Sequence, residues 1–333
     1  MRLVKKPAAL STLIAVILVC VPAIEAQQPG KSVRIGYLDS GTPSGSTELL
    51  DAFRKQMTQL NWIEGKNVTI DYRYAESKGR TRQTELAEEL VRLNSDVIVV
   101  SDTNTALSAK AATTIIPIIM AGVGDPVAQG LIPSLARPGG NITGLSSFAD
   151  QLGGKRIEIL KELLPKATRI GVLIGTPGGP GGELQLKFIK QAASALKLKL
   201  IEIGSVSENE SLLNSFQMAV RERVDAIITT SGPVVFGQRK SIVLLAANYK
   251  LPGIYPLKQF VEEGGLMSYG TDRGDLYRRA AIYVDKILKG TKPSELPVER
   301  PTKFELFANL KAAKRIGLTI PPNVLARADK VIK

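Results

Sequence analysis

Two hydrophobic rhythms alternate along the chain. VRIGYL (33–38) is a β-rich run, after which Leu49, Phe53, Met57 and Leu60 recur at helical spacing. NVTIDYRY (67–74) alternates like a strand, and Leu86, Leu90 and Leu93 share one helical face. DVIVV (96–100) is a continuous apolar run, the pattern of a parallel strand buried on both sides. Thr105 to Ala112 reads as helix, IPIIM (116–120) as strand, Asp125 to Ala136 as helix and NITGL (141–145) as strand.

The pattern then restarts. A helix marked by Ile157, Leu160 and Leu164 stops at Pro165, and RIGVLI (169–174) follows as a strand. Glu183 to Leu196 reads as helix, KLIEIG (199–204) as strand, and Leu212, Leu213, Phe216 and Val220 as one helical face. DAIITT (225–230) is a strand and Val235 to Tyr249 a helix. PGIYP (252–256) and GLMSYG (265–270) are short strands around a helical turn. This is βαβαβα twice, which predicts an α/β fold of two doubly wound parallel-sheet lobes. A long helix follows, Leu276 to Leu288, whose apolar Ala280, Val284, Ile287 and Leu288 need a partner face. The proline-punctuated tail ends in one more strand-like run and a short helix, Asn309 to Ile316. A chain that returns after finishing its second lobe predicts lobes joined by several strands, hence a hinge.

The N-terminus stands apart from this pattern. Arg2, Lys5 and Lys6 precede an apolar run from Ala8 to Val21, and the segment closes at Ala26. That order describes a secretory signal peptide, residues 1–26. The run is shorter than the roughly 20 residues that span a bilayer. The expected location is the periplasm. Cys20, the sole cysteine, lies inside this segment behind Val19, which disfavours lipid anchoring there. Loss of Met1–Ala26, with three basic residues and Glu25, lowers the formal charge from +13 to +11. No basic run with interleaved aromatics accompanies this charge, so nucleic acid is not an expected partner. Histidine is absent altogether. Ser-His-Asp and Cys-His machinery and histidine metal sites are therefore excluded, and with no mature cysteine so is thiolate chemistry.

The remaining motifs are weak. GTPGGPGGE (175–183) lacks the Lys-Ser/Thr ending of a phosphate loop, and its prolines break a dinucleotide fingerprint, so it reads as a strand-to-helix turn. No cofactor is expected. Ser194 and Lys197 form an S-x-x-K inside an amphipathic helix with no oxyanion feature nearby. Asn67 and Asn141 match glycosylation acceptors, although Asn141 after two glycines reads as turn chemistry.

Strand ends carry the candidate chemistry, because doubly wound sheets bind ligands outside the carboxyl ends of their strands. The first lobe offers Asp39, Ser40, Ser101, Asp102, Thr103, Asn104, Asp125, Ser146 and Ser147. The second offers Thr176, Ser231, Tyr255, Tyr269 and Asp272. None is a strong nucleophile beside an evident base. Helix starts favour a carboxylate and aspartates an ammonium, so an amino-acid-like ligand is the first expectation. Tyr255 and Tyr269 would supply its walls. Each Ser, Thr or Asp can also be a plain helix cap.

Several segments also carry a resemblance. NWIEGKNVTIDYRYAES, IPIIMAGVGDPVAQGLIPSLARPGGNITGLS, GGLMSYG and FELFANLKAAKRIGLTIPP resemble exported ABC-transporter substrate-binding proteins of the tryptophan/tyrosine-binding type. The likeness spans about Ser32 to Ile332. It implies a type I periplasmic-binding fold with three crossovers. One lobe would hold 32–145 and 271–293, the other 146–270 and 294–333. It further implies a small solute closed between the lobes and handed to a membrane permease by a monomeric receptor. The Gly-rich 175–183 departs from the family's usual loop, which weakens Thr176 as a contact. A periplasmic sensor domain and, behind it, a carboxylate or Ser–Lys enzyme in the same cleft are the alternative readings.

Overall fold

The computed structural model describes residues 32–175, 178–206 and 212–333. The expected signal peptide, Cys20 and Thr176 lie outside the described residues. Strands β1 (Val33–Asp39), β2 (Val68–Tyr74), β3 (Val97–Val100), β4 (Ile118–Val123) and β5 (Ile142–Ser146) form one sheet. Its order is β2-β1-β3-β4-β5 and every pair is parallel. A second sheet contains β6 (Arg169–Ile174), β7 (Lys199–Ser205), β8 (Ala226–Thr229), β9 (Gly253–Tyr255), β10 (Met267–Gly270), β11 (Glu305–Asn309) and β12 (Lys330–Ile332). Its order is β12-β11-β10-β9-β8-β6-β7, parallel except for the β10–β11 pair.

The connecting helices in the first half are α1 (Pro43–Gln59), α2 (Gly79–Arg92), α3 (Thr103–Ala112) and α4 (Ala149–Leu163). In the second they are α5 (Pro180–Ala195), α6 (Leu212–Arg221), α7 (Pro233–Gly237), α8 (Arg239–Asn248), α9 (Lys258–Glu262) and α10 (Arg273–Leu288). Two short ones, α11 (Leu310–Arg315) and α12 (Pro322–Leu325), close the chain. Local chemistry sets their starts. The Thr42 hydroxyl accepts from Gly45 N at 3.2 Å ahead of Pro43, the first residue of α1. Asp102 and Thr105 make a reciprocal capping box for α3. All four residues of β3 are buried, as the continuous apolar run predicts.

The long helix finds its partner in the first sheet. Leu276, Tyr277, Ala280, Ala281 and Val284 of α10 are buried against α1 and β3–β5. The chain thus leaves the first sheet after Ser146 and returns at Asp272. Its last passage comes after Glu299, which still runs beside β5: Ser146 N donates to Glu299 O at 2.9 Å and Glu299 N to Gly144 O at 3.0 Å. Three such passages side by side make a hinge.

Two helices expected from the pattern are not there as drawn. Residues 125–136 form turns. The Asp125 carboxylate takes the Val127 and Ala128 amides for itself, Gly130 has φ 67°, and Pro133 follows, so no helix propagates. The expected helix from Val235 to Tyr249 breaks at Gln238 into α7 and α8. Gly237, the weakest helix former in that stretch, lies at the break. The strand β12 gave no signal in the pattern, being only three residues long.

Candidate functional site

Each sheet reverses its strand order at one place, β1/β3 in the first and β6/β8 in the second. At such a switch point the neighbouring loops diverge and open a crevice. The two crevices face each other. One pocket between them is lined by Ser40 after β1, by Asp102, Thr103 and Asn104 after β3, and by Gly175 after β6. Thr230, Ser231 and Gly232 after β8 and Gly181, Gly182 and Gln185 of α5 complete it with Pro233 and Val234. Its volume is about 50 Å³.

The two halves of the molecule touch on either side of this pocket. A Cβ on Gly45 of α1 would stand 2.9 Å from the Gly237 Cα of α7. One on Gly181 would stand 2.9 Å from the Thr103 Cβ, and one on Gly179 would stand 2.7 Å from the Asn104 Nδ2. Only glycine allows the two halves to approach this closely. The Gly-rich turn is therefore a piece of the cleft wall, a role for which its sequence gave no specific signal.

Of the expected site residues, Ser40, Asp102, Thr103, Asn104 and Ser231 meet at this pocket. The Ser40 hydroxyl donates to the Asp102 carboxylate, whose other oxygen caps Thr105 N at 2.9 Å. Asp39 and Ser101 lie behind the pocket wall, fully buried. Asp39 accepts from the Tyr37 hydroxyl, Ser46 and Gly41 N at 2.7–2.8 Å. Burial raises its pKa above the usual carboxylate range, and those donors only partly offset the rise. The Ser101 carbonyl accepts from the buried Arg273 at 2.9 Å. These two residues brace the floor and do not line the pocket.

Others among the expected residues go elsewhere. Asp125, Ser146 and Ser147 hold the first crossover: the Ser146 hydroxyl donates to Gly124 O and that of Ser147 to Val123 O. Tyr255 is 1% exposed and stacks on Phe260 at 4.9 Å, and Tyr269 packs on Phe304 at 6.3 Å. Neither ring walls the pocket. A side chain within a strand points to a sheet face, which helices cover, while only residues past the strand end reach the cleft. Asp272 caps α10 through Asp275 N at 3.1 Å and pairs with Lys258 at 2.9 Å, on a separate groove between α1, α9 and α10. Burial pushes its pKa up, but Lys258 and the Asp275 amide outweigh this and leave it lowered.

Gln185 is the main residue that sequence reasoning missed. It is 5% exposed, its amide oxygen accepts from Ser231 N at 2.6 Å and its nitrogen donates to Ser231 O at 3.0 Å. Asp150, whose ionised form the nearby Gln185 favours, accepts from Asp125 N at 2.8 Å, so polar groups run from the crossover to the pocket wall. A polar residue at an inward position of α5 was the only trace of Gln185 in the sequence. The S-x-x-K pair closes the far end of α5, where Lys197 N donates to Ser194 O at 3.0 Å. Asn141 donates to Thr113 O and Ile116 O, the turn role its glycines imply.

Residues 44–332 match the family model described as "ABC transporter substrate binding protein". A tyrosine-binding protein of Clostridioides difficile is 27% identical over 266 residues, 80% of this chain and 75% of that one. Among solved structures, a conserved domain protein from Vibrio cholerae superposes with a TM-score of 0.80 at 29% identity, covering 90% of this chain and all of its own. An ABC domain from Streptococcus pneumonia in complex with L-Trp gives a TM-score of 0.78 at 27% identity with the same coverage. Two α/β lobes on a multi-strand hinge, a cleft between their switch points and a family match across nearly all the described residues agree: the chain belongs to the ABC transporter substrate-binding protein family, with the type I periplasmic-binding fold.

Proposed function

We propose that this protein is an exported receptor that holds the zwitterionic head of an amino acid between its two lobes and delivers it, unchanged, to a membrane permease. The first lobe would comprise 32–145 and 271–300 and the second 146–270 and 301–333. The third crossing is read there because Glu299 runs with β5.

One observation carries the ligand class. The pocket has a carboxylate on one side and an uncapped helix start on the other. Asp102, with Ser40, projects from the first lobe. The start of α5 in the second lobe has no cap from its own Gly179, its Gly181 N meets Asn104 Oδ1 across the cleft at a long 3.5 Å, and Gly181 and Gly182 line the same pocket. An ammonium suits the first and a carboxylate the second. A zwitterion satisfies both only when the lobes are closed, so binding and closure are one event. The relatives that bind tyrosine and L-Trp fit this chemistry.

The test is a thermal-shift panel of the proteinogenic amino acids with mass spectrometry of the released ligand. A cognate amino acid should raise the melting temperature, and Asp102→Ala should remove the rise; the same change removes the α3 cap at a cost of about 1 kcal/mol, so the rise is read against the variant's own, lower unliganded melt. A rise that survives Asp102→Ala would refute this placement of the ammonium. Recovery of a chemically altered ligand would point to an enzyme instead.

A further inference from the structure

The edge of the second sheet opposite the cleft carries a row of unpaired cations. Strands β9, β8, β6 and β7 lie side by side and parallel, so their amino ends share one edge and the helix-to-strand turns gather there. Those turns place Lys250 before β9, Arg223 before β8, Lys166 before β6, and Lys197 and Lys199 at the start of β7. With neighbouring strands about 4.8 Å apart, the row is about 15 Å long. All five residues are exposed, and none has an ion-pair partner among the described residues. The carboxylates between them are already engaged. Glu222 pairs with Arg169 at 3.0 Å, and Asp225 accepts from Thr168 N and Arg169 N at 2.7 and 2.9 Å. The row ends at the turn before β10, which holds Glu262 and Glu263.

Three of these cations stand where lysine or arginine is a costly choice. After α5, α6 and α8 the backbone turns left-handed, with φ 56° at Lys197, 53° at Arg223 and 53° at Lys250. That residue and the next then close the helix end, as in Lys197 N to Ser194 O at 3.0 Å and Leu198 N to Ala193 O at 2.8 Å. Glycine takes this conformation without strain, and asparagine with less strain than most residues. The first sheet uses asparagine: α1 and α2 end in the same geometry at Asn61, φ 68°, and Asn94, φ 54°. A cation at a helix carboxyl end gains from the helix dipole, but α1 and α2 offer the same gain and do not take it. Helix capping therefore does not explain a choice confined to one sheet edge, whereas a use for the charge does.

We propose that this edge is a docking surface for an anionic lipid bilayer, which holds the exported receptor against the membrane. Charge and shape name the occupant. The cations stand in a row on turns between rigid elements, and a bilayer of acidic headgroups presents negative charge across a plane. The row lies on the edge away from the pocket, so contact there leaves the lobes free to open and close. The inference rests on export but not on which solute the cleft holds, and it is read without any solute present.

Co-sedimentation of the mature protein, residues 27–333, with lipid vesicles tests it. The protein should bind vesicles of equimolar phosphatidylglycerol and phosphatidylcholine at low salt, ignore pure phosphatidylcholine, and release as added salt screens the charges. Lys197→Gly, Arg223→Gly and Lys250→Gly together remove three charges and relieve three left-handed residues. This variant should melt no lower than wild type and bind at least about tenfold more weakly, since each cation near an anionic surface is worth about fivefold. Lys66→Gln, Arg137→Gln and Lys292→Gln remove the same charge from exposed positions of the first lobe and should weaken binding less than about threefold. Wild type that ignores the anionic vesicles overturns the proposal and leaves an acidic protein surface as the occupant. Equal losses in the two triple variants would mean attraction to net charge alone, and unchanged binding in the glycine variant would mean attraction elsewhere; either overturns the assignment to this edge. A glycine variant that melts several degrees lower would show that the cations serve their helices, and overturns it as well.

Discussion

Asp150 offers the sharpest test of how the crossover is built. It opens the first turn of α4 and is fully buried, with one carboxylate oxygen on Asp125 N at 2.8 Å and the other without a partner. Burial is the largest influence on it and raises its pKa from 3.8 to about 6. The Asp125 amide and Gln185 pull it back, while the charge of Asp125 adds to the rise. The folded protein therefore keeps a proton that the unfolded chain releases between pH 3.8 and about 6. The associated stability is fully present below that window, is lost as pH rises through it, and stays lost above. The size of the shift sets the loss at no more than about 3 kcal/mol. Asn at this position can still accept from Asp125 N and cannot ionise. Urea unfolding of wild type and Asp150→Asn at pH 4, 5, 6 and 7.5 measures the difference directly, since every other titrating group is common to both. The variant should gain on wild type by about 2–3 kcal/mol between pH 4 and 7.5. Two parallel profiles, differing by less than about 0.5 kcal/mol in their pH dependence, would show that Asp150 is ionised at little cost and would refute this account.

Gly45→Ala should separate closure from stability. The new methyl favours helix α1 by up to about 1 kcal/mol, so the unliganded protein should melt no lower. It would meet the Gly237 backbone at 2.9 Å on closure, and ligand affinity should fall about tenfold by titration calorimetry. Unaltered affinity would mean that the two helices do not need this approach. Phe53→Ala should cost about 3–5 kcal/mol in urea unfolding, because Phe53 is fully buried between α1 and the first sheet. A loss below about 1 kcal/mol would mean that the core there collapses to fill the space.

The alternating pattern contained most of the fold. Strands such as DVIVV and RIGVLI are legible because a parallel strand is buried on both faces and tolerates few polar residues. Helices such as α10 are legible because one face must be apolar, and Leu276, Ala280 and Val284 announce it. The misreadings have a common physical origin. In 125–136 a carboxylate competed with the helix for backbone amides, and at Gly237 a helix gave way beside a glycine. Apolar spacing does not report either event.

Within the site the division is similar. Ser40, Asp102, Asn104 and Ser231 were within reach of sequence reasoning, since a strand end in a doubly wound sheet is a defined place. Tyr255 and Tyr269 were attractive for the same reason, but one or two residues of register decide whether a side chain faces a helix or the cleft. Gln185 was out of reach. Nothing local distinguishes an inward glutamine that completes a pocket from an outward one that faces water.

By itself, then, the sequence determined the class of the fold and its repetition, the hinge implied by the returning tail, and the exclusion of histidine chemistry. These follow from periodicity and composition, which are properties of neighbours along the chain. The tertiary structure decided which strand ends face one another. It also decided where glycine is required for two helices to touch, and which inward glutamine borders the pocket. Those depend on residues as far apart as Asn104 and Gly181, or Gln185 and Ser231, whose contact is made by the packing of two sheets and has no counterpart in the order of the amino acids.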